Sequence, residues 1–328
     1  MTLTITSEST PASGVSRKVA RPAGRRRRFT SLPFYAFISP WLLGTILLSA
    51  FPLVYAFGVS LTNWDGISTH VRFLGLGNYV TVLTAPDTWA SLGRTGLLAI
   101  VVVPVTIAGG LGLAILLNQR VRFRAGFRLL VYLPAVVPPV AATLAWKILF
   151  DRDNGGINAF LRLLGMRPVD WLSRDIVFWV LIVVMLWSIG AGVLINLAAL
   201  QDVPAELREA ARLDGAGAWG VFRHVTLPTI SPVLLFQVIT VTIGVLQTFI
   251  PALLLSPTAG PAAITAVPEA NQVYMIEVYA RYFAFQQYGY ASAMLWLFFV
   301  VILAVTFAFF RFSGRAVFYA VDPSEGRS

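Results

Sequence analysis

The chain has 328 residues, of which 57% are hydrophobic and only 12% charged, with a mean hydropathy of +0.75. That balance excludes an ordinary soluble domain and marks a membrane protein. Zero cysteines exclude disulfides, thiol catalysis and cysteine-ligated metal centres, and the net charge of +10 comes with no aromatic-interleaved basic patch of the kind that binds nucleic acid.

Residues 1–29 are rich in Ser, Thr, Pro, Gly and Arg, have no hydrophobic periodicity and are expected to be a disordered cytoplasmic tail. A cleaved signal peptide is the rival reading. The apolar run that follows is too long for a signal core and lacks a small-residue cleavage site, so a retained first span is expected. A span needs about 20 mostly apolar residues to cross the hydrocarbon. Six segments qualify: residues 34–61, 95–118, 129–150, 176–200, 229–255 and 291–312. Their length and lack of strict alternation select helices over barrel strands, which gives an all-α polytopic membrane protein. The expected organisation is the tail at 1–29, a first span with an external loop at 30–90, a core at 91–313 and a C-terminal tail at 314–328.

Pro40 and Pro52 lie in the first span, and Trp64 beyond it is an interface anchor. Pro134, Pro138 and Pro139 lie in the third, where kinks are expected. The fourth carries Trp187, Ser188, Gly190, Gly192 and Asn196, a spacing of small residues that lets helices approach closely. The fifth carries Gln237, Thr240, Thr242, Gln247 and Thr248. Asn196, Gln237, Gln247 and Thr248 are costly in hydrocarbon unless they pair across helices or face a water-filled path.

With the N-terminus inside, seventeen Lys and Arg fall on the inner face: seven in the tail, four at 120–128, three at 208–223 and three at 311–327. The other face holds seven, and Lys147 lies in a span. The positive-inside rule therefore places both termini and the 201–228 loop in the cytoplasm, with the basic span ends meeting anionic lipid.

That loop, QDVPAELREAARLDGAGAWGVFRHVTLP, is the one place where acids, bases and helix signals crowd together. Asp202 and Pro204 read as a helix start, and Glu206 and Glu209 fill the early turns, where carboxylates suit the positive dipole end. Leu207, Ala210 and Ala211 share a face, and Gly215 is the stop. Glu206 and Glu209 can brace the helix through Arg208 and Arg212. A second short helix is expected over 216–224, ended by Leu227 and Pro228, which makes a two-helix knob between spans.

Glu209-Ala210-Ala211, Gly215 four residues later and the ending Thr226-Leu227-Pro228 resemble the EAA loop of binding-protein-dependent ABC transporter permeases, and EAARLDGA is similar to the sugar-uptake (maltose/glycerol-phosphate) branch. Further landmarks in family order are residues 73–79, 113–118, Gly156-Ile157-Asn158-Ala159, Asp170-Trp171-Leu172 and Tyr288-Gly289-Tyr290-Ala291. The resemblance implies a type I importer permease core of six transmembrane helices in the bacterial plasma (inner) membrane, with the knob as a cytoplasmic coupling helix in a groove of an ATPase subunit. Coupling would then rest on Glu206, Glu209, Ala210, Ala211, Arg212, Asp214, Gly215, Leu227 and Pro228. It further implies a second permease subunit, with a heterodimer expected, two ABC ATPase subunits using ATP and Mg, and an extracytoplasmic solute-binding protein. Asn196, Gln237, Gln247 and Thr248 become substrate-path candidates. Where the family commonly shows Phe-Asp and then Gly-Gly-Gly-Pro, this chain has Phe249-Ile250 and Thr258-Ala259-Gly260-Pro261.

No catalytic role is expected. Only Lys18 and Lys147 exist and neither follows glycine, so a P-loop cannot be built and ATP hydrolysis falls to a partner; this chain needs no cofactor. His70 and His224 are expected on opposite membrane faces, which leaves no His-based triad or metal site. The alternatives are an ABC permease for glycerol phosphate or polyamine, a gradient-driven carrier or channel, and an integral-membrane enzyme such as a lipid transferase.

Overall fold

The computed structural model describes residues 31–119, 122–258 and 263–313. Both expected tails, Arg120 and residues 259–262 lie outside the described residues. The chain divides between Pro52 and Leu53 into two units. In the first, α1 (Ser31–Thr45) passes through a single π turn, Ile46–Ala50, into the start of α2 (Phe51–Ser60). The Phe51 N–H donates to the Ile46 carbonyl. This wider turn sits directly ahead of Pro52, whose ring would otherwise strike the carbonyl four residues back.

The second unit is helical among the described residues, apart from one antiparallel bridge between Thr62 and Phe73. After α3 (Gly77–Thr84), α4 (Pro86–Asn118) begins on a proline, whose missing N–H is harmless in a first turn. At 33 residues it starts nine residues before the expected span and is about 50 Å long. It is the axis against which α8 (Val177–Leu186), α9 (Gly190–Asp202) and α12 (Leu227–Leu246) pack. Near its C-terminal end Ala114 and Leu117 join Val193, Leu197, Leu200, Val203 and Ile230 in one buried cluster. Nearer its start Leu98 and Val102 join a second, with Val177, Leu181, Val245 and Ile276.

Among the described residues five helices are long and apolar enough to span a membrane: Phe34–Ser60, Pro86–Asn118, Val177–Asp202, Ala218–Leu254 and Tyr288–Ser313. The third expected span is not a kinked helix but two, α5 (Arg124–Val136) and α6 (Pro139–Leu149), bent by 98°. Two consecutive prolines force this: each drives the residue before it out of the helical region, so Val137 has ψ 129° and Pro138 ψ 136°. Counting that pair as one span gives six.

The fifth span also differs from expectation. Leu227-Pro228 does not end the knob's second helix. That helix, α11 (Ala218–Val221), runs through a π turn, Phe222–Thr226, straight into α12. The Leu227 N–H donates to the Phe222 carbonyl, the same device as before Pro52. Asp202, expected to open the knob, instead closes α9.

The 73–79 and 288–291 landmarks meet at the end of α2. Asn78 donates through Nδ2 to the carbonyls of Ser60 at 2.8 Å and Thr62 at 2.7 Å, and the Tyr79 and Ser60 hydroxyls share a 2.7 Å hydrogen bond. Gly289, near the start of α15 (Tyr288–Ser313), must be glycine, because a Cβ there would lie 2.0 Å from the Thr62 carbonyl oxygen.

Candidate functional site

The knob is built on Val203, buried in the cluster at the end of α4, and on Pro204, which precedes α10 (Ala205–Leu213). Glu206 sits in the first turn and Arg212 in the last, each on the dipole end that favours it. At the C-terminus Ala216 N–H donates to the Ala211 carbonyl at 2.9 Å and Gly215 N–H to the Arg212 carbonyl at 3.0 Å. These two bonds, with Gly215 at φ +84°, form the left-handed glycine stop read from the sequence. On the other side Val221, Thr226 and Ile230 are buried, so both ends of the knob are seated on the bundle.

Its surface is open. No residue of α10 is buried: Glu206, Glu209, Ala210, Arg212, Asp214 and Gly215 are exposed and Ala211 is half-buried. Leu227 and Pro228 are half-buried at the start of α12. Among the described residues Glu206, Arg208, Glu209 and Arg212 make no ion pair within 4.0 Å, so the charges do not brace their own helix. Large apolar side chains stand beside them, Leu213 at 89% and Trp219 at 68% exposure. The Trp219 ring lies 5.4 Å from that of Phe222 at a tilt of 32°. A rigid patch combining unpaired charge with exposed Leu and Trp is the chemistry of a protein-docking surface.

The intramembrane polar candidates divide. Asn196 of α9 and Gln237 of α12 are buried and bonded to each other, Gln237 Nε2 donating to Asn196 Oδ1 at 2.7 Å. Gly192 makes room for the pair, since a Cβ there would lie 3.1 Å from Gln237 Oε1, while Gly110 faces Asn196 Nδ2 at ordinary contact distance. Asn196 Nδ2 itself has no hydrogen-bond partner among the described residues. Gln247 and Thr248 lie elsewhere, in the break between α12 and α13 (Ile250–Leu254). Gln247 is exposed, and the buried Thr248 hydroxyl contacts Met185 Sδ at 3.8 Å.

That contact joins two broken helices. The α8–α9 span is interrupted at Trp187–Ile189, two residues beyond Met185, leaving Ser188 exposed. Gly190 then packs on α5 so closely that a Cβ would be 2.0 Å from the Val131 carbonyl oxygen. Trp146 of α6 meets Trp187 edge-on at 6.0 Å and stacks on Phe150 at 5.5 Å. Sequence reading noted Trp187, Ser188 and Gly190 as packing residues and missed the break; Trp146 was not singled out. The available signal was the Ser-Ile-Gly-Ala-Gly run inside an apolar span.

A sequence profile of the binding-protein-dependent transport system inner membrane component family matches residues 106–324. The probable ABC transporter permease protein YesP of Bacillus subtilis (strain 168) is 32% identical over 304 residues, covering 92% of this chain and 96% of YesP. The trehalose/maltose transport system permease protein MalF of Thermococcus litoralis is 31% identical over 84% of this chain and 92% of its own. A chain from the crystal structure of a bacterial alginate ABC transporter, in complex with an alginate pentasaccharide-bound periplasmic protein, superposes with a TM-score of 0.77. It is 20% identical and covers 89% of this chain and 97% of that one.

Proposed function

Because this chain belongs to the binding-protein-dependent transport system inner membrane component family, we propose that it is the membrane-spanning subunit through which an ABC importer passes oligosaccharides, driven through the knob by a separate ATPase. The carbohydrate class is supported by the relatives, whose names specify trehalose/maltose and alginate. The partners expected are a second permease subunit, two ATPase subunits and an extracytoplasmic solute-binding protein. The excess of Arg and Lys on the knob side supports a cytoplasmic knob and cytoplasmic termini.

The observation that carries this reading is the rigid exposed knob seated on the buried cluster at one end of α4. Swinging a two-state bundle from 1:99 to 99:1 takes about 5.5 kcal/mol of differential affinity. A helix stopped by a left-handed glycine, with the following α11 continuous through the π turn with α12, transmits such a difference, whereas a flexible loop dissipates it. Glu206, Glu209, Arg212 and Asp214 would supply the polar contacts at the ATPase groove. Ala210 and Ala211 would permit close approach, Gly215 would set the turn, and Leu227 and Pro228 would join it to the span.

For the solute path, the paired breaks at Trp187–Ile189 and Gln247–Phe249 are the supporting feature. At the first the chain keeps helical dihedrals with only a local tightening, whereas Gln247 and Phe249 leave them, and non-helical backbone at membrane depth is tolerated where it is buried in protein or lines a water-filled cavity. Exposed Ser188 and Gln247 there, with the Trp187 ring beside them, offer the hydroxyl, amide and aromatic surface that a sugar requires. Asn196 Nδ2, still a free donor, is a further candidate.

The test is reconstitution. Uptake of labelled oligosaccharides is expected only when ATP, the ATPase subunits, the second permease and the binding protein are all present. ATP hydrolysis by the purified chain alone, or uptake that collapses with an ion gradient while ATP is held constant, overturns the proposal.

A further inference from the structure

The loop between α6 and α8 ends in an apolar surface that none of the preceding roles uses. On α7 (Gly156–Leu163) and the turn after it, Phe160 is 61%, Leu163 84%, Leu164 60% and Met166 56% exposed. From Gly156 to Pro168 the only charged residues are Arg162 and Arg167. Arg162 is fixed at the rim of the patch, donating to the Asp153 carbonyl at 2.8 Å.

The patch is carried on a rigid base. Buried Asn158 donates through Nδ2 to the carbonyls of Arg152 at 3.0 Å and Val169 at 2.8 Å. Its Oδ1 accepts from the Val169 N–H and the Trp171 indole N–H, both at 3.0 Å. Gly155 and Gly156 bring the helix hard against the end of α6: a Cβ at Gly155 would lie 2.3 Å from the Asp151 carbonyl oxygen, and one at Gly156 2.9 Å from Leu149 Cδ1. The helix therefore cannot fold its apolar face away.

We propose that α7 is an interfacial helix, lying in the headgroup boundary of the leaflet opposite the knob. Phe160, Leu163, Leu164 and Met166 enter the acyl region, and Arg162 and Arg167 meet anionic lipid phosphates. Two observations favour lipid over a protein partner. The patch contains no hydrogen-bonding side chain, whereas surfaces that bind and release proteins are about as polar as the rest of a protein surface. It also follows, across the short 151–155 loop, the exposed apolar side chains Leu144 and Ile148 at the end of the α5–α6 span. Anchored in this way, α7 holds the outer end of the broken span at fixed depth while the knob moves.

The native chain has no cysteine, so single nitroxide labels can be placed cleanly. The full-length chain carrying Leu163→Cys, Leu164→Cys or, as a water-facing reference, Asp153→Cys is labelled in nanodiscs of phosphatidylcholine with or without phosphatidylglycerol. At Leu163 and Leu164 collision with oxygen is expected to exceed collision with a water-soluble nickel complex several-fold, with the reverse at Asp153. Phosphatidylglycerol should deepen the labels, and Arg162→Gln with Arg167→Gln should abolish that increment. Nickel access equal to the Asp153 reference in both lipids overturns the proposal. So does shielding from oxygen and nickel alike on addition of a binding protein or second permease, which would identify a protein occupant.

Discussion

The two ends of the bundle treat charge in opposite ways. At the end where α4 begins, Glu269 accepts from Arg94 at 2.7 Å and Arg174 at 3.4 Å. Arg281 holds Glu277 at 2.8 Å and Asp87 at 3.8 Å, and Arg152 meets Asp170 at 3.7 Å. Every ion pair among the described residues lies at that end; at the knob Glu206, Arg208, Glu209 and Arg212 have none. One end pairs several of its charges internally, and the other leaves those of α10 available. At the knob α10 leaves its charges unpaired and Leu213 exposed, and α11 leaves Trp219 exposed; on the proposed docking role, substitutions at the two ends should therefore fail differently.

The largest effect is expected at Gly215. Its φ of +84° is left-handed and no atom lies within 4 Å of the Cβ it lacks, so a substitution acts through the backbone and not through a clash. Gly215→Val should abolish ATP-driven uptake while membrane insertion is unchanged, because a β-branched residue refuses this conformation. Gly215→Asn should retain much of the uptake, since asparagine tolerates it. Equal loss in both would mean that the glycine serves something other than the turn. Next in size is Glu209→Lys, which inverts an exposed, unpaired charge. Uptake and co-purification of the ATPase subunits should both fall, with the melting temperature unmoved; full retention of the ATPase would separate this residue from docking.

How much of this was legible depends on the range of the interactions. The knob's first helix and its stop are local, written in Pro204, Glu206 and Gly215, and each stands where its conformational preference requires. Its far side was misread because Leu227-Pro228 is a stop by local rules, whereas one π turn lets the chain keep its helix through the proline. Prolines at 134, 138 and 139 signalled distortion, but nothing in them distinguishes a kink from a 98° break. The Arg94–Glu269 pair joins residues 175 apart in sequence, beyond the reach of any spacing rule. Asn196 and Gln237 were recognised as costly intramembrane groups; that they answer one another became visible only once α9 and α12 were packed.

Inside the bundle, Gln237→Leu leaves the buried Asn196 Oδ1 without its donor, and should cost about 1–3 kcal/mol, read as a lower melting temperature in detergent. Adding Asn196→Leu should recover much of that loss, because two apolar groups leave nothing unsatisfied. If the double variant regains stability but not uptake, the pair also touches solute. At the paired end the effects shrink: Glu269→Gln removes two pairs in which the carboxylate is exposed, one to a half-buried Arg94 and one to an exposed Arg174, worth about 1 kcal/mol and less in high salt. Uptake should be close to native. A loss comparable to that of Glu209→Lys would show that the outer ion pairs are part of the moving machinery and would erase the contrast between the ends.

The smallest effect concerns Asp65, in the loop after α2. Its Oδ1 accepts the Ser68 N–H at 2.7 Å and the Ile67 N–H at 3.0 Å. These backbone bonds, Ser68 first, favour the carboxylate and hold its pKa below the usual aspartate value. A lowered folded-state pKa means that the contribution is complete above the ordinary value and is lost as pH falls through the folded one. Exchange protection of the Ile67 and Ser68 amides, corrected for the intrinsic pH dependence, should therefore persist at neutral pH and fade only in acid. Asp65→Asn keeps an acceptor oxygen with no proton to gain, so its protection should be flat across that range. Because this turn closes entirely within its own end of the molecule, neither acid nor the substitution should alter ATPase co-purification, which the proposed docking role assigns to the unpaired charges at the other.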